Sequence, residues 1–253
     1  MKNIRNIYQE FNLPDNTITI YGLHAAKSAL NNDKREIFLL ITTNKNLSYW
    51  KEYVKKLEIN IKILTLENKE LNLLSNYNSH QNVIIFAKKL KRISLNEYLS
   101  KCKKNFQRIL ILDQLTDPQN VGSVIRSAYA FNFDAVCILK KNSPSETSSL
   151  VKASAGEIEK IKIIELGNLT QEIQKLRKFG FYIYSLSNEG NMSIKNIDNS
   201  DKKIALIIGS EGKGIRNLTK KHSDYIFKIP INGNCNSLNV ANATAIALYT
   251  LGK

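Results

Sequence analysis

The sequence predicts an α/β protein built from a smaller and a larger domain. Short apolar runs rich in Ile, Val and Phe alternate with amphipathic stretches along the chain, which is typical of α/β folds. A basic segment near the middle separates two series of such runs. A chain of 253 residues is long enough for two modest domains.

The first series predicts a small domain over residues 15–90. Four apolar runs predict strands, at 18–21, 36–43, 61–64 and 83–88. Amphipathic stretches between them predict helices near 22–31, 47–57 and 67–75. The alternation of the two predicts a compact α/β unit.

The basic segment predicts a linker over residues 91–105 with a short helix near 94–104. Residues 88–108 contain eight Lys or Arg and a single acid, Glu97. The basic residues are Lys88, Lys89, Lys91, Arg92, Lys101, Lys103, Lys104 and Arg108. Two interpretations stay open at this point. The charges form either a solvated helix face or an RNA-contacting hinge.

The second series predicts a larger domain over residues 106–253. Its strands are expected at 109–113, 135–139, 161–166, 181–186, 204–209 and 225–229. Its helices are expected at 121–131, 169–179, 215–222 and 240–251. This span of about 150 residues is large enough to fold as a domain of its own.

Charge and composition narrow the classes of function. The net charge of +15 favours a polyanionic partner, nucleic acid being the commonest, although AT-rich coding alone produces a similar bias towards Lys, Asn and Ile. The longest apolar runs are too short to cross a bilayer, and the first residues lack a secretory signal, so we expect a cytoplasmic protein without a membrane partner. Cys102, Cys137 and Cys235 lie far apart without C-x-x-C spacing, so we expect no metal site.

The first candidate segment follows the strand that ends at Asp113. Asp117-Pro118 predicts a turn, because proline pushes its predecessor out of the helical region. Asn120 can then cap a helix. The apolar stripe of this helix is Val121, Val124, Ile125 and Ala128. Arg126 lies off the stripe and should project away from the core; the other interpretation is a capping Asn and an ordinary surface Arg.

The second segment, I-A-L-I-I-G-S-E-G-K-G-I, is an apolar strand followed by Gly209, Gly212 and Gly214. Glycines here allow a sharp turn or the close approach of backbone to a ligand. The spacing is neither that of a Walker A loop nor the G-x-G-x-x-G of a dinucleotide-binding fold. Both classes are therefore excluded for this segment.

In the third segment a strand ends at Ile229-Pro230, a polar loop containing Gly233 follows, and an alanine-rich helix begins. Ser237 or Asn239 is positioned to cap that helix. One face of the helix carries Val240, Ala243, Thr244 and Ala247. A loop with a well-capped core helix explains the segment as well as a site does.

Together the three segments closely resemble the signature motifs of the SpoU methyltransferases, in the SPOUT superfamily. They read D-P-x-N-x-G-S-x-x-R-x-A, then G-S-E-G-x-G, then I-P-x-x-G-x-x-x-S-L-N-V. In the first domain, Tyr21–Leu30 and His80-Gln81 are similar to the ribosomal-protein-like RNA-binding domain of the branch that methylates 23S rRNA guanosines. The resemblance implies a small ribosomal-protein-like α/β domain followed by a SPOUT α/β domain, with a six-stranded, mostly parallel sheet and a C-terminal trefoil knot.

The resemblance also implies a function. Such an enzyme transfers a methyl group from S-adenosylmethionine to a ribose 2'-hydroxyl of RNA and works as a homodimer. The cofactor-binding positions are Gly209, Ile229 and Leu238, which act largely through backbone. The catalytic set is Asn120, Arg126, Glu211, Ser237 and Asn239.

Each catalytic position carries an expected role. Arg126 binds the target phosphate and polarises the 2'-hydroxyl, while Glu211 holds Asn120 and Arg126, and Asn239 with Ser237 orients the ribose. A guanidinium barely deprotonates in proteins, so Arg126 is not expected to be a full general base. Six helical residues, roughly 9 Å along the axis, separate Asn120 from Arg126, so the two act together only with RNA or another segment between them.

Three questions stay open from the sequence. The substrate is an rRNA guanosine, favoured by the first domain, or a tRNA D-loop guanosine, whose enzymes commonly lack that domain. A different class, a non-catalytic RNA-binding or ribosome-assembly factor, is the second alternative. His80 either touches RNA or serves a turn, and Asn82, where the family usually has Gly, tolerates the left-handed backbone such a turn needs.

Overall fold

The computed structural model describes residues 4–197, 200–210, 212, 214–233 and 237–252. These form two compact units. The first joins the chain up to Lys91 with Glu146–Lys160, and the second joins Arg92–Ser145 with the chain from Ile161 onward. No described helix is long and apolar enough to span a membrane.

All ten predicted strands are present within two residues of their expected bounds, and the described part of the second unit holds two further strands of two residues each. The strands are β1 (Thr17–Tyr21), β2 (Ile37–Thr42), β3 (Lys62–Thr65), β4 (Val83–Lys88), β5 (Ile93–Ser94), β6 (Gln107–Asp113), β7 (Ala135–Leu139), β8 (Lys162–Leu166), β9 (Tyr182–Leu186), β10 (Met192–Ser193), β11 (Lys203–Gly209) and β12 (Tyr225–Lys228).

The predicted helices are also present, and α1 and α7 are additional. The helices are α1 (Ile4–Glu10), α2 (Leu23–Leu30), α3 (Leu47–Lys56), α4 (Asn68–Leu74), α5 (Leu95–Lys101), α6 (Pro118–Ala130), α7 (Ser148–Ala153), α8 (Leu169–Lys178), α9 (Asn217–Lys221) and α10 (Val240–Leu251).

The first unit is built on a four-stranded sheet in the order β1-β4-β2-β3. β4 is antiparallel to both neighbours, whereas β2 and β3 are parallel. Leu39, Ile41, Ile84 and Phe86 form a fully buried cluster together with residues of α1 and α4. Side chains alternate between the faces of a strand, so these four share one face of the sheet.

A segment from the middle of the predicted 106–253 domain belongs to this first unit. Arg35 is buried and lies 2.6 Å from Glu146 and 2.5 Å from Glu159. A Cβ on Gly156 would overlap the side chain of Ser28, so this backbone packs tightly on α2. The domain bounds 15–90, 91–105 and 106–253 stay predictions. The structure differs from them in one respect: residues 146–160 pack with the first unit.

The turn before β4 has the conformation that Asn82 was expected to allow. Gln81 and Asn82 have φ values of 49° and 60°. His80 is buried and accepts a hydrogen bond from the Asn82 N–H at its Nδ1 (3.0 Å). Its Nε2 lies 2.9 Å from the side-chain Oδ1 of Asn72. His80 therefore serves the turn in this structure, the second of its two interpretations.

The second unit holds an eight-stranded sheet in the order β10-β12-β9-β11-β6-β7-β8-β5, in which every pairing is parallel. The six predicted strands form its body, and the expected six-stranded sheet is extended at each edge by β10 and β5. Helices α5 and α8 contribute to the core cluster against one face, and α6 packs on α10. The α/β class with a small sheet unit and a parallel α/β unit is confirmed; the knot stays a prediction.

The predicted linker holds regular structure of the second unit. β5 pairs with β8, and Leu95, Tyr98 and Leu99 of α5 are buried in the core of the unit. Ser94 caps α5 by accepting a hydrogen bond from the Glu97 N–H at 3.1 Å. The helix is confirmed, and the apolar side chains among the lysines explain why it packs on the sheet.

Candidate active site

The site lies at the carboxyl ends of the central parallel strands. β6 and β11 are neighbours, and Gly209 at the end of β11 pairs in register with Asp113 at the end of β6. The chain leaves β6 towards β7 on one side and leaves β11 towards β12 on the other, so the strand order reverses here. Ligands of open α/β sheets bind in the crevice at such a reversal.

Helix α6, which carries the first motif, begins earlier than expected. Pro118 is its first residue, and the Asp117 carboxylate accepts hydrogen bonds from the Gln119 N–H (3.2 Å) and the Asn120 N–H (3.1 Å). The expectation that Asn120 caps this helix is wrong. A carboxylate ahead of Pro satisfies the orphan N–H groups, which leaves the Asn120 side chain available for contacts outside the helix.

The first and third motifs meet through two asparagines. The Asn239 Nδ2 donates a hydrogen bond to the Asn120 Oδ1 at 3.3 Å. The Oδ1 of Asn239 caps α10, accepting from the Ala241 N–H at 2.9 Å and the Asn242 N–H at 3.4 Å. Asn239, one of the two candidates for this cap, is therefore fixed at both ends of its amide and holds α6 to α10.

Arg126 and Ser237 lie on exposed surface, and Glu211 falls outside the described residues. The α6 stripe of Val121, Val124, Ile125 and Ala128 is buried as expected, and Arg126 points away from it. The catalytic roles of all five positions remain predictions. Of the four described catalytic positions, Asn120 and Asn239 are hydrogen-bonded to each other.

The second motif folds back on its own strand. The chain after Gly209 turns so that Ser210 and Gly214 form a bridge, with the Gly214 N–H donating to the Ser210 carbonyl at 2.9 Å. A Cβ on Gly209 would overlap the backbone of Gly214. Gly209 is therefore required by the close approach of the loop itself. Of the two explanations offered for the glycines, a sharp turn and a close approach to a ligand, the sharp turn accounts for Gly209.

An ion pair closes this loop against β6. The Asp113 carboxylate is fully buried; its Oδ1 lies 2.7 Å from the Arg216 Nη2, and its Oδ2 accepts from the Arg216 Nε and the Thr219 Oγ1, both at 3.1 Å. Arg216 and Thr219 stand at the start of α9. Three contacts to a buried carboxylate fix where the second motif ends, although no sequence signal singled Asp113 out.

A cavity of about 400 Å³ opens beside the second and third motifs. All three predicted cofactor positions, Gly209, Ile229 and Leu238, line it. Both apolar residues, such as Ile208 and Ile231, and polar residues, such as Ser187 and Ser210, line it, which suits a ligand with a flat apolar base and several hydrogen-bonding groups. The volume falls within the range of small-molecule sites, roughly 300–1,000 Å³.

The loop after β9 also lines the cavity, and the sequence analysis missed it. It contributes Ser187, Asn188 and Glu189. Lys220 on α9 lies 2.7 Å from the Glu189 carboxylate and borders the same cavity. Only the position of this loop at the carboxyl end of a strand could have pointed to it, because its residues form no recognisable motif.

Comparison with known proteins identifies the family. The family model for the SpoU rRNA Methylase family matches residues 107–249. A second model, for RNA 2'-O ribose methyltransferase substrate binding, matches residues 19–93. The chain belongs to the SpoU rRNA methylase family. It is accordingly an RNA 2'-O-ribose methyltransferase with S-adenosylmethionine as cofactor.

Individual relatives extend over most of the chain. The 23S rRNA (guanosine-2'-O-)-methyltransferase RlmB of Coxiella burnetii is 34% identical over 91% of this chain and 93% of its own. An uncharacterized tRNA/rRNA methyltransferase of Borreliella burgdorferi is 34% identical over 81% of this chain and 96% of its own. The AdoMet-bound rRNA methyltransferase of Sinorhizobium meliloti superimposes with a TM-score of 0.79 at 21% identity, covering 98% of this chain and 89% of that one.

The cavity fits this cofactor. Ile208, Ile229 and Leu238 offer apolar contacts for an adenine ring, while Ser187, Asn188 and Ser210 add polar residues to the lining. Bound there, S-adenosylmethionine supplies a methyl group on a positively charged sulfur. The tasks left to the protein are to align the acceptor hydroxyl and to guide its proton away.

Proposed function

We propose that this enzyme methylates the ribose 2'-hydroxyl of a guanosine in 23S rRNA, in the cytoplasm. The observation that carries the location of the reacting site is the hydrogen bond between Asn120 and Asn239, which joins the first and third motifs beside the cavity. The match of residues 19–93 to a substrate-binding domain and the likeness to the RlmB relative support rRNA as the substrate.

The residues divide the work between ribose and phosphate. Asn239 and Ser237 orient the ribose, with Asn120 held ready by Asn239. Arg126, exposed on α6, binds the phosphate next to the target and polarises the 2'-hydroxyl. Glu211 positions Asn120 and Arg126. Positioned groups of this kind act by fixing the attacking oxygen and lowering the cost of removing its proton.

The active form in this proposal is a homodimer joined through α6 and α10. Tyr249, Ile246 and Tyr129 are 73%, 40% and 39% exposed, and the Tyr249 ring packs edge-on to Phe131 at 5.7 Å between centroids. Apolar surface of this kind marks interaction sites. Arg126 lies three residues before Tyr129 on the same side of α6, so a partner seated here would place Arg126 next to the other subunit.

Mapping of 2'-O-methyl sites tests the substrate. rRNA and tRNA from cells with and without the gene are compared, and the purified protein is then added to RNA from the deficient cells. We expect one guanosine of 23S rRNA to lose its methyl group and to regain it with the added enzyme. A changed site confined to tRNA would move the substrate to tRNA, and no changed site in either RNA would support a non-catalytic role.

A further inference from the structure

Two tyrosines on α3 of the first unit form an exposed aromatic surface that the methyl-transfer site does not use. Tyr49 and Tyr53 lie one helical turn apart, with ring centroids 6.1 Å apart and planes inclined by 24°. Tyr49 is 45% exposed. Trp50 lies between them in sequence, is only 1% exposed, and contacts both rings edge-on at 5.2 and 5.7 Å. The tryptophan thus anchors the pair to the core while one ring stays open to solvent.

Lys27 of α2 and Asn31, which directly follows this helix, contact the pair from the side. The Lys27 Nζ lies 5.4 Å from the Tyr49 centroid and 5.5 Å from the Tyr53 centroid, within cation–π range of both rings. The Asn31 Nδ2 donates a hydrogen bond to the Tyr53 hydroxyl at 2.6 Å. We call Tyr49, Tyr53 and Lys27 the α3 aromatic patch. Its rings are held in place before any ligand arrives.

The surroundings of the patch are basic. Exposed lysines stand on α3 and on the turn before it, and they are Lys45, Lys51, Lys55 and Lys56. Glu52 and Glu58 are the nearby acids in this stretch of sequence. Tyr49 and Tyr53 lie four residues apart and so share one face of α3, while Lys45 stands on the turn just before the helix. Positive charge for a polyanion therefore lies beside the exposed ring, with the Lys27 ammonium directly against it.

We propose that the α3 aromatic patch stacks an unpaired base of the substrate RNA on Tyr49, while Lys27 and Lys45 contact the neighbouring phosphates. This inference rests on the enzyme acting on RNA, but not on which RNA that is. Stacking on aromatic side chains combined with basic contacts is how proteins bind single-stranded segments. Bases in an A-form duplex present no free face, so the patch selects a loop or bulge over a helix.

Binding of two labelled RNAs by the full-length protein tests the stacking. The probes are a short fluorescein-labelled oligouridylate and an RNA duplex of the same length. Tyr49→Ala should weaken oligouridylate binding on the order of ten- to a hundredfold, the scale for losing one stacked base, and leave duplex binding unchanged. Tyr49→Phe, the matched control, should bind both RNAs like the wild type, because the ring remains.

Salt dependence separates the lysine from the ring. Lys27→Gln should reduce the log–log salt slope for oligouridylate by roughly 0.7, since one phosphate contact is lost. Tyr49→Ala should leave that slope unchanged, since stacking releases no counterion. The intrinsic fluorescence of Trp50 reports whether α3 keeps its packing. If Tyr49→Ala disturbs it, Tyr49→Leu retains apolar bulk without a π face and should show the same selective loss.

Three results would overturn the proposal. They are unchanged oligouridylate binding in Tyr49→Ala and Tyr49→Leu, an equal loss of duplex binding, or a loss in Tyr49→Phe as large as in Tyr49→Ala. The assay needs neither methyl transfer nor an rRNA site. Failure of stacking would thus leave the mapped methylation site intact, and failure of the 23S mapping would leave the stacking result standing.

Discussion

Arg126 and Asn120 lie on one helix near the cavity, yet neither lines it. Arg126→Ala and Asn120→Ala should therefore leave S-adenosylmethionine binding nearly intact, while methyl transfer falls by at least ~100-fold, the scale for losing a positioned catalytic group. Calorimetry measures the first quantity and transfer of labelled methyl to RNA the second. Gln119→Ala, at an exposed residue of the same turn, is the control and should keep both. Wild-type turnover in Arg126→Ala would refute its proposed role.

Gly209 lines the cavity and lies against the backbone of its own loop. Adding one methyl group, by changing Gly209 to Ala, therefore tests whether this loop forms the cofactor site. Gly209→Ala drives a Cβ into the Gly214 backbone. Relief of that overlap should displace the loop that lines the cavity, and we expect a loss of about 1–3 kcal/mol in cofactor binding, which is roughly 5- to 150-fold in affinity. Gly233→Ala is the matched control, since a Cβ there meets open space within 4 Å. Equal calorimetric affinities for the two variants would show that the loop absorbs the change.

At the scale of elements, the turn before β4 carries a built-in pH dependence. Burial lowers the pKa of His80 below its ordinary value of 6.5. The unfolded chain then binds a proton more readily than the folded one, so stability falls as pH drops below about 6.5 towards the folded pKa. The loss has a maximum slope of about 1.4 kcal/mol per pH unit for one proton.

Urea unfolding at pH 7.5 and at pH 5.5 measures this effect. Wild type should lose more stability between the two than His80→Gln, which cannot take up the proton. The variant starts from lower stability because it disturbs the contacts to Asn72 and Asn82. Identical pH dependence in the two proteins would mean that His80 takes up its proton equally in the folded and unfolded states, so that burial does not lower its pKa.

The return of residues 146–160 to the first unit depends on one buried cation. Arg35→Met leaves Glu146 and Glu159 buried without their partner, and removing one member of a buried ion pair costs about 3–5 kcal/mol. Adding Glu146→Gln and Glu159→Gln should recover part of the loss, because the stranded charges disappear. Lys34→Met, at an exposed neighbour, should change the free energy of unfolding by less than about 0.5 kcal/mol.

These elements also show where sequence patterns suffice. The long buried strands and amphipathic helices follow from periodicity alone, and so does the outward position of Arg126. The two-residue strands β5 and β10 are too short to carry a period. The cap of α6 is Asp117 rather than the predicted Asn120. Both residue types favour capping and stand close together in the sequence, so only the folded turn shows which of them caps the helix. The partnership of Arg35 with Glu146 and Glu159 spans more than a hundred residues, which no local pattern encodes.

For the candidate site, the sequence motifs predicted two of the three loops that line the cavity, those after β11 and β12. The third loop, Ser187–Glu189, was not predicted because its residues form no recognisable motif. Asp113 escaped because a strand-terminal carboxylate has many uses, and its partners Arg216 and Thr219 lie far along the chain. The family resemblance, rather than periodicity, supplied the cofactor and the catalytic set.

At the scale of the whole molecule, the exposed apolar face of α6 and α10 predicts the oligomeric state. Tyr249 and Ile246 should be buried in a homodimer. Tyr249→Glu combined with Ile246→Lys should therefore give a monomer in sedimentation at micromolar concentration, where we expect the wild type to be a dimer. Tyr77→Glu is the control and should leave the oligomeric state unchanged. Tyr77 is 75% exposed, much like Tyr249, but it belongs to the first unit.

Activity then decides whether the partner completes the site. If Arg126 serves the other subunit, the monomeric variant should lose methyl transfer, and mixing Arg126→Ala with Asn120→Ala subunits should restore part of it, because one composite site regains both side chains. If Arg126 serves its own subunit, the mixture stays inactive, since every site then lacks one of the two. A wild-type protein that sediments only as a monomer would contradict the dimer itself. A monomeric variant with full turnover would instead show that each chain carries a complete site.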